Sequence, residues 1–369
     1  QALERATEID PSFGVAYEHI VDIDREKNDL DGALAGAERL VRADPDNARG
    51  YDLKADVLFL RGDPQSAIQV RRDVLVRDPE SIYALMTIGA AYGILGNFDS
   101  LGVVVAEISN SRRPEARALV GAGQAFLCLV QGRFHEGEAL AAEAEKEAGG
   151  LYKSQYAILL IRLRAEVLFE MGRADEALRE CRIAGNLART FNPHPGTGLA
   201  PIAEGLARVG RVQELETLFK EYDRGLGKEG REDEERRMRN YLAGTLALAK
   251  GRAKEAVAFF ENGAPYGPPL VRDWRRRWSL ARALLAAGDK DRAMVELNEV
   301  VKRAPGAGDP ITTFKAINML AKLYEERGRR EDALALYRRV ARQYRQAEPG
   351  VKANEEALAG IQRLTKAPS

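Results

Sequence analysis

A turn residue that keeps coming back constrains this chain more than any other feature. It stands at Asn28, Gly62, Gly96, Gly132, Gly172, Gly210, Gly251, Gly288 and Gly328, with gaps of 34, 34, 36, 40, 38, 41, 37 and 40 residues. A self-similar period in this range marks a stack of helical pairs. Seven positions before each turn stand Val21, Ala55, Gly89, Ala125, Ala165, Ala203, Gly244, Ala281 and Ala321. Five positions after it stand Ala33, Ala67, Leu101, Gly137, Ala177, Leu215, Ala256, Ala293 and Ala333. Most of these are small. Two helices joined by a short turn approach closely only where the crossing residues lack bulk, and enlarging such a position costs about 1–3 kcal/mol.

Composition agrees. Ala, Leu, Glu and Arg are abundant and β-branched runs are few, which favours helix throughout. At 369 residues a globular chain would divide into two or three domains. A repeat array escapes that rule, because each unit touches mainly its neighbours. The reading is therefore an all-α, right-handed α-solenoid, a superhelix of antiparallel helix pairs. Residues 1–13 form the second helix of a truncated repeat, 14–345 about nine tandem repeats, and 346–369 a C-terminal capping helix and tail, its helix spanning Val351 to Leu364. The double glycine Gly149 and Gly150 is read as ending a helix.

The pattern resembles the tetratricopeptide repeat family, in a bacterial-type array. The resemblance rests on the period, on the small crossing residues and on the prolines closing second helices, Pro11, Pro45, Pro79 and Pro305. It implies a scaffold that binds a protein or peptide in its concave groove. One variant of the family clamps a C-terminal carboxylate with Lys and Asn at fixed positions. The matching positions here hold Glu18, Asp22, Leu53, Tyr83 and Thr87, so that clamp is absent.

Basic and acidic residues balance at 56 each, so no global field draws nucleic acid or anionic membrane. No apolar run approaches the roughly 20 residues that span a bilayer. The opening "QALERATEIDP" reads as a second helix whose first helix is missing, so a fragment or processed form is expected, and the half-repeat could pair with another copy. A cytoplasmic place is favoured, a periplasmic one if a leader has been removed. Cys128 and Cys181 fall on buried faces and are read as small core residues. His19, His135 and His194 have no partner at metal-ligand spacing, and no GxSxG, HExxH or CxxC occurs. "HPGTG" lacks the order of a phosphate loop. No catalytic residue, cofactor or metal is expected, and the chain is read as no enzyme.

The groove is read from helical geometry. If Leu85, Ile88, Gly89 and Tyr92 are buried, the neighbouring stripe holds Tyr83, Met86, Ala90 and Gly93, with Ile94 beside them. The same frame gives Asp52, Asp56 and Phe59 in the second repeat, Phe126 and Leu129 in the fourth, and Leu159 in the fifth. It gives Met238, Tyr241, Thr245 and Leu248 in the seventh, and Arg275, Trp278, Arg282 and Leu285 in the eighth. The sixth repeat begins in an irregular loop and is given no stripe. One end is mildly acidic, the middle apolar and the far end basic, which suits an amphipathic segment lying across repeats two to five. Phe126, Leu129 and Leu159 could equally be core. "RDWRRRW" has three readings: a helix start with Trp274 packed and the arginines solvated, a site for an acidic protein, or nucleic acid, the last disfavoured. Besides the scaffold, a regulatory region of a larger bacterial kinase or cyclase remains open, and, more distantly, a nucleic-acid-linked regulator.

Overall fold

A computed structural model describes residues 2–26, 29–112, 114–147, 155–191, 194–226, 233–265, 269–302 and 310–366. Asn28, the pair Gly149 and Gly150, and Pro305 lie outside the described residues, as do the side chains of Ile94 and Leu159. The described residues form twenty helices and no strand. They divide into two compact units, Gln1–Val120 and Gly121–Ser369.

Unit 1 runs α1 (Ala2–Ile9), α2 (Gly14–Glu26), α3 (Leu30–Ala43), α4 (Ala48–Leu60), α5 (Pro64–Arg77), α6 (Ile82–Leu95) and α7 (Phe98–Ser109). Helix α8 (Pro114–Val130) carries the boundary between the units. Unit 2 continues with α9 (Phe134–Glu147), α10 (Gln155–Glu170), α11 (Ala174–Phe191), α12 (Leu199–Arg208), α13 (Val212–Gly225) and α14 (Asp233–Ala249). It ends with α15 (Ala253–Glu261), α16 (Pro269–Ala286), α17 (Lys290–Lys302), α18 (Pro310–Glu326), α19 (Arg330–Gln343) and α20 (Lys352–Thr365). Within each unit, successive helices pack on one another, the arrangement of an α-solenoid.

Local chemistry punctuates the helices where the period requires. Gly62, Gly96, Gly132, Gly172, Gly210, Gly251, Gly288 and Gly328 all have positive φ, between 67° and 84°, a left-handed backbone that glycine adopts without penalty. In unit 1 the second helices then start on side-chain caps. Asp29, Asp63 and Asn97 accept the amides of Gly32, Ser66 and Ser100, each such cap contributing about 1 kcal/mol. Pro64 occupies the first turn of α5, where no amide donor is needed. The small crossing residues are in contact, as their spacing predicts: a Cβ on Gly137 would stand 2.3 Å from a methyl of Leu129, and one on Gly244 2.9 Å from the Phe260 ring.

Unit 2 departs from nearest-neighbour packing. The turn between α8 and α9 meets the segment between α19 and α20. The Glu348 amide donates to the Gly132 carbonyl at 3.0 Å. The Glu348 carboxylate accepts from the His135 amide at 2.9 Å and lies 2.6 Å from His135 Nδ1. Gln343 donates to the Val130 carbonyl at 3.3 Å. A second contact joins α10 to α18, where Lys315 pairs with Glu170. Repeats far apart in sequence therefore touch within this unit.

Candidate partner-binding groove

In unit 1 the predicted stripe gathers around a residue from a second helix. Arg71 of α5 is buried and donates to the carboxylates of Asp52 and, at 2.7 Å, Asp56. Its guanidinium lies 4.6 Å from the centroid of the Tyr83 ring, and the Tyr83 hydroxyl donates to Asp56 at 3.3 Å. Burial raises the Asp56 carboxyl above its ordinary range, against the lowering influence of Arg25 and Tyr83. Tyr83 keeps 40% of its surface exposed, while Phe59 and Met86 are half-buried. The acidic end is compensated: Glu18 pairs with Arg49 at 3.0 Å and Asp22 with Arg25 at 3.2 Å.

In unit 2 the stripe opens into a cleft of about 240 Å³ on α12, α14 and α16. Thr245, Leu248 and Phe260 line it on one side, and Glu204, Ser279 and Arg282 supply polar groups. Glu204 is held from two helices. The Tyr241 hydroxyl donates to one of its oxygens at 2.5 Å, and Arg275 donates to the other at 2.6 Å. With its proton committed to Glu204, the Tyr241 oxygen accepts from Ser279 at 3.0 Å. Burial first, then the Glu204 charge, push the Tyr241 phenol well above its usual range, so it serves as a donor. Arg282 differs from its neighbours. Its guanidinium stands 5.7 Å from the Trp278 ring centroid and forms no hydrogen bond or ion pair among the described residues.

Several sequence expectations need correction. Leu129, Met238 and Tyr241 are fully buried and offer a partner no surface. Leu129 lies under Gly137, and Tyr241 packs edge-on against Phe260 with centroids 5.5 Å apart. Phe126 is half-buried, as are Trp278 and Leu285. In "RDWRRRW" Trp274 is packed, but the arginines are not simply solvated. Arg272 pairs with Glu234, Arg275 with Glu204, Arg276 with Asp273, and Arg277 with Asp273 and Glu296. Only 9% of Arg275 is exposed. The basic far end is likewise matched, with Lys322 3.2 Å from Glu356.

Glu204 is absent from the sequence expectation because the irregular loop before repeat six hides its register. The signal was present: Ala203 precedes Gly210 by seven, which places Glu204 and Ala207 on the stripe. The loop that obscured it is a packed corner. Gly198 has φ 76°, and a Cβ there would meet the Gly185 Cα at 2.4 Å. Gly225, Gly227 and Gly230 spell GxGxxG. A dinucleotide site needs that pattern after a strand, whereas Gly225 ends α13, and residues 227–230 lie outside the described ones.

Among the described residues, no group of three or more His, Cys, Asp or Glu side chains is placed to hold a metal ion, and no helix is long and apolar enough to cross a membrane. Both cysteines are free and buried. Burial pushes the Cys181 thiol up to about 12 and raises that of Cys128.

Paired helices, glycine turns and small crossing residues define a helical-hairpin repeat protein. Family models for the tetratricopeptide repeat match residues 20–82, and again 277–307 and 319–347. The chain carries tetratricopeptide repeats over those residues. No curated protein sequence matches it. Among solved structures it is similar to a chain of the APC/C hetero-tetramer Cut9–Hcn1, at 14% identity and TM-score 0.48 over 91% of this chain. It spans 60% of that chain. It is also similar to yeast Tom70, at 13% identity and TM-score 0.37, over 95% of this chain and 96% of that one. The P58(IPK) tetratricopeptide domain matches at 15% identity and TM-score 0.29, over 96% and 99%.

Proposed function

We propose that this chain is a non-catalytic scaffold that holds a segment of a protein partner against the inner face of its first helices, with the cleft on α12, α14 and α16 as one docking point. Tetratricopeptide arrays are protein-interaction scaffolds. Arg282 carries it. That guanidinium lines an open cleft beside Leu248 and Phe260 and has no counter-ion among the described residues. Burying a charge is costly unless it is paired, so a partner that covers the cleft must bring an acidic group to Arg282. An apolar side chain next to that acid would cover Leu248 and Phe260. In unit 1, Tyr83 and Met86 offer a second apolar contact beside the Asp52 and Asp56 carboxylates.

The test is site-specific. A photo-crosslinking residue replaces Leu248 in the full chain, which is irradiated in native extract with and without Arg282→Glu. A crosslinked protein that is lost with Arg282→Glu supports the reading, provided both chains melt alike. An identical crosslinked product in both overturns it.

A further inference from the structure

Glu170 ends α10, and its side chain is only 7% exposed. Its carboxylate receives Lys315 from α18 and Arg208 from α12. Both cations come from later in the chain, 145 and 38 residues away in sequence. Both remain in partial contact with water, at 29% and 32% of their side-chain surface. An acidic side chain therefore already lies where an inner-face ligand would place one, held by cations that solvent still reaches.

The charge balance favours an anionic occupant. Among the described residues Arg208, Arg275 and Lys315 are matched by Glu166, Glu170 and Glu204, while Arg282 in the cleft lining has no counter-ion. Two of these pairs join helices distant in sequence, Glu170 with Lys315 and Glu204 with Arg275, and leave Arg282 uncompensated among the described residues.

We propose that Glu170 is a built-in occupant of the inner face of unit 2, and that an acidic segment of a protein partner binds by taking Lys315 and Arg208 from it. This rests on the scaffold reading above and adds the partner's chemistry and a competition that regulates access. An internal competitor that fills the site nine-tenths of the time lowers apparent affinity about tenfold. Removing its charge without changing its shape restores that factor.

The experiment measures fluorescence anisotropy of a labelled peptide of alternating glutamate and leucine with the full chain at low ionic strength. Wild type is compared with Glu170→Gln, with Glu170→Gln plus Lys315→Met, and with Arg282→Glu. A peptide with glutamine in place of glutamate is the control. Expected are about tenfold tighter binding by Glu170→Gln, loss of that gain when Lys315 is also replaced, and no gain for the control peptide. Equal affinity in folded wild type and Glu170→Gln overturns the proposal, as does an equal gain for both peptides. Should Glu170→Gln fail to fold, Glu170→Asp replaces it: its shorter carboxylate cannot span both cations, so a smaller gain is expected, and no gain sinks the idea. Equal binding by wild type and Glu170→Gln, lost in Arg282→Glu, removes the role of Glu170 and leaves the scaffold reading standing. Absence of any peptide binding also removes it, and the Leu248 crosslink then decides the scaffold reading alone.

Discussion

Gly132 lies against Ala347: a Cβ added to the glycine would stand 2.7 Å from the alanine methyl and 3.0 Å from the Tyr344 ring. Gly132 thus meets two demands, a φ of 78° and a close approach across the unit. Gly172 has nearly the same φ, 75°, with nothing within 4 Å. The pair separates the two effects. Gly172→Ala should cost about 1–2 kcal/mol for the left-handed backbone alone. Gly132→Ala should cost about 1–3 kcal/mol more through overpacking. Denaturant melts of both variants check this, and equal losses would show that the contact with Ala347 yields freely.

Glu170 gives a pH signature. Burial raises its carboxyl, but Lys315 and then Arg208 outweigh burial and hold it below the usual range. A carboxyl with a depressed folded pKa stabilises fully above its unfolded value, about 4.3, and loses that contribution as pH falls through the folded value. Breaking a fully buried pair costs about 3–5 kcal/mol. Here about 2 kcal/mol is expected for Glu170→Gln near neutrality, because both cations keep some water. The gap between wild type and variant should close as pH drops below about 4. Melts between pH 7 and 3 measure it, and a gap constant across that range would contradict the assignment.

On unit 1, Met86→Glu combined with Tyr83→Ala should abolish capture of any partner that uses this face, with some loss of stability because the Tyr83 ring stacks on the buried Arg71. Tyr83 also contributes a hydrogen bond to Asp56, so Met86→Glu alone is the cleaner comparison. Retention of every partner at unchanged stability would show that this face is not used.

Cys128 and Cys181 should resist alkylation in the native protein. Both are buried, and thiolate, the reactive form, is scarce when burial raises the pKa. Mass spectrometry after iodoacetamide at pH 8 should find neither labelled until denaturant is added. Rapid native labelling of Cys181 would mean that its surroundings open readily.

What the sequence disclosed follows the range of the interactions. Turn glycines, caps and small crossing residues act within one helix pair, so eight left-handed glycines fall where the period puts them. The stripe was readable wherever its residues answer only to neighbouring repeats, as with Asp56 and Tyr83. It failed at Tyr241. That position corresponds to half-buried Met86, yet Tyr241 is sealed under the bridge from Glu204 to Arg275, whose partners stand 71 residues apart. The arginines around Trp274 look free in one dimension because Glu204, Glu234 and Glu296 come from other helices. No local pattern announces that Lys315 meets Glu170 or that Glu348 reaches His135.

The joining of the α8–α9 turn to the segment after α19 also determines how unit 2 comes apart. An open stack frays: its last pair has one neighbour, detaches first and exposes the next. In unit 2 the pair α18 and α19 is anchored on both sides, by its sequence neighbours and by the corner at Gly132 and His135. That removes the cheap first step, so unit 2 should melt as one cooperative block instead of unzipping from its carboxyl end.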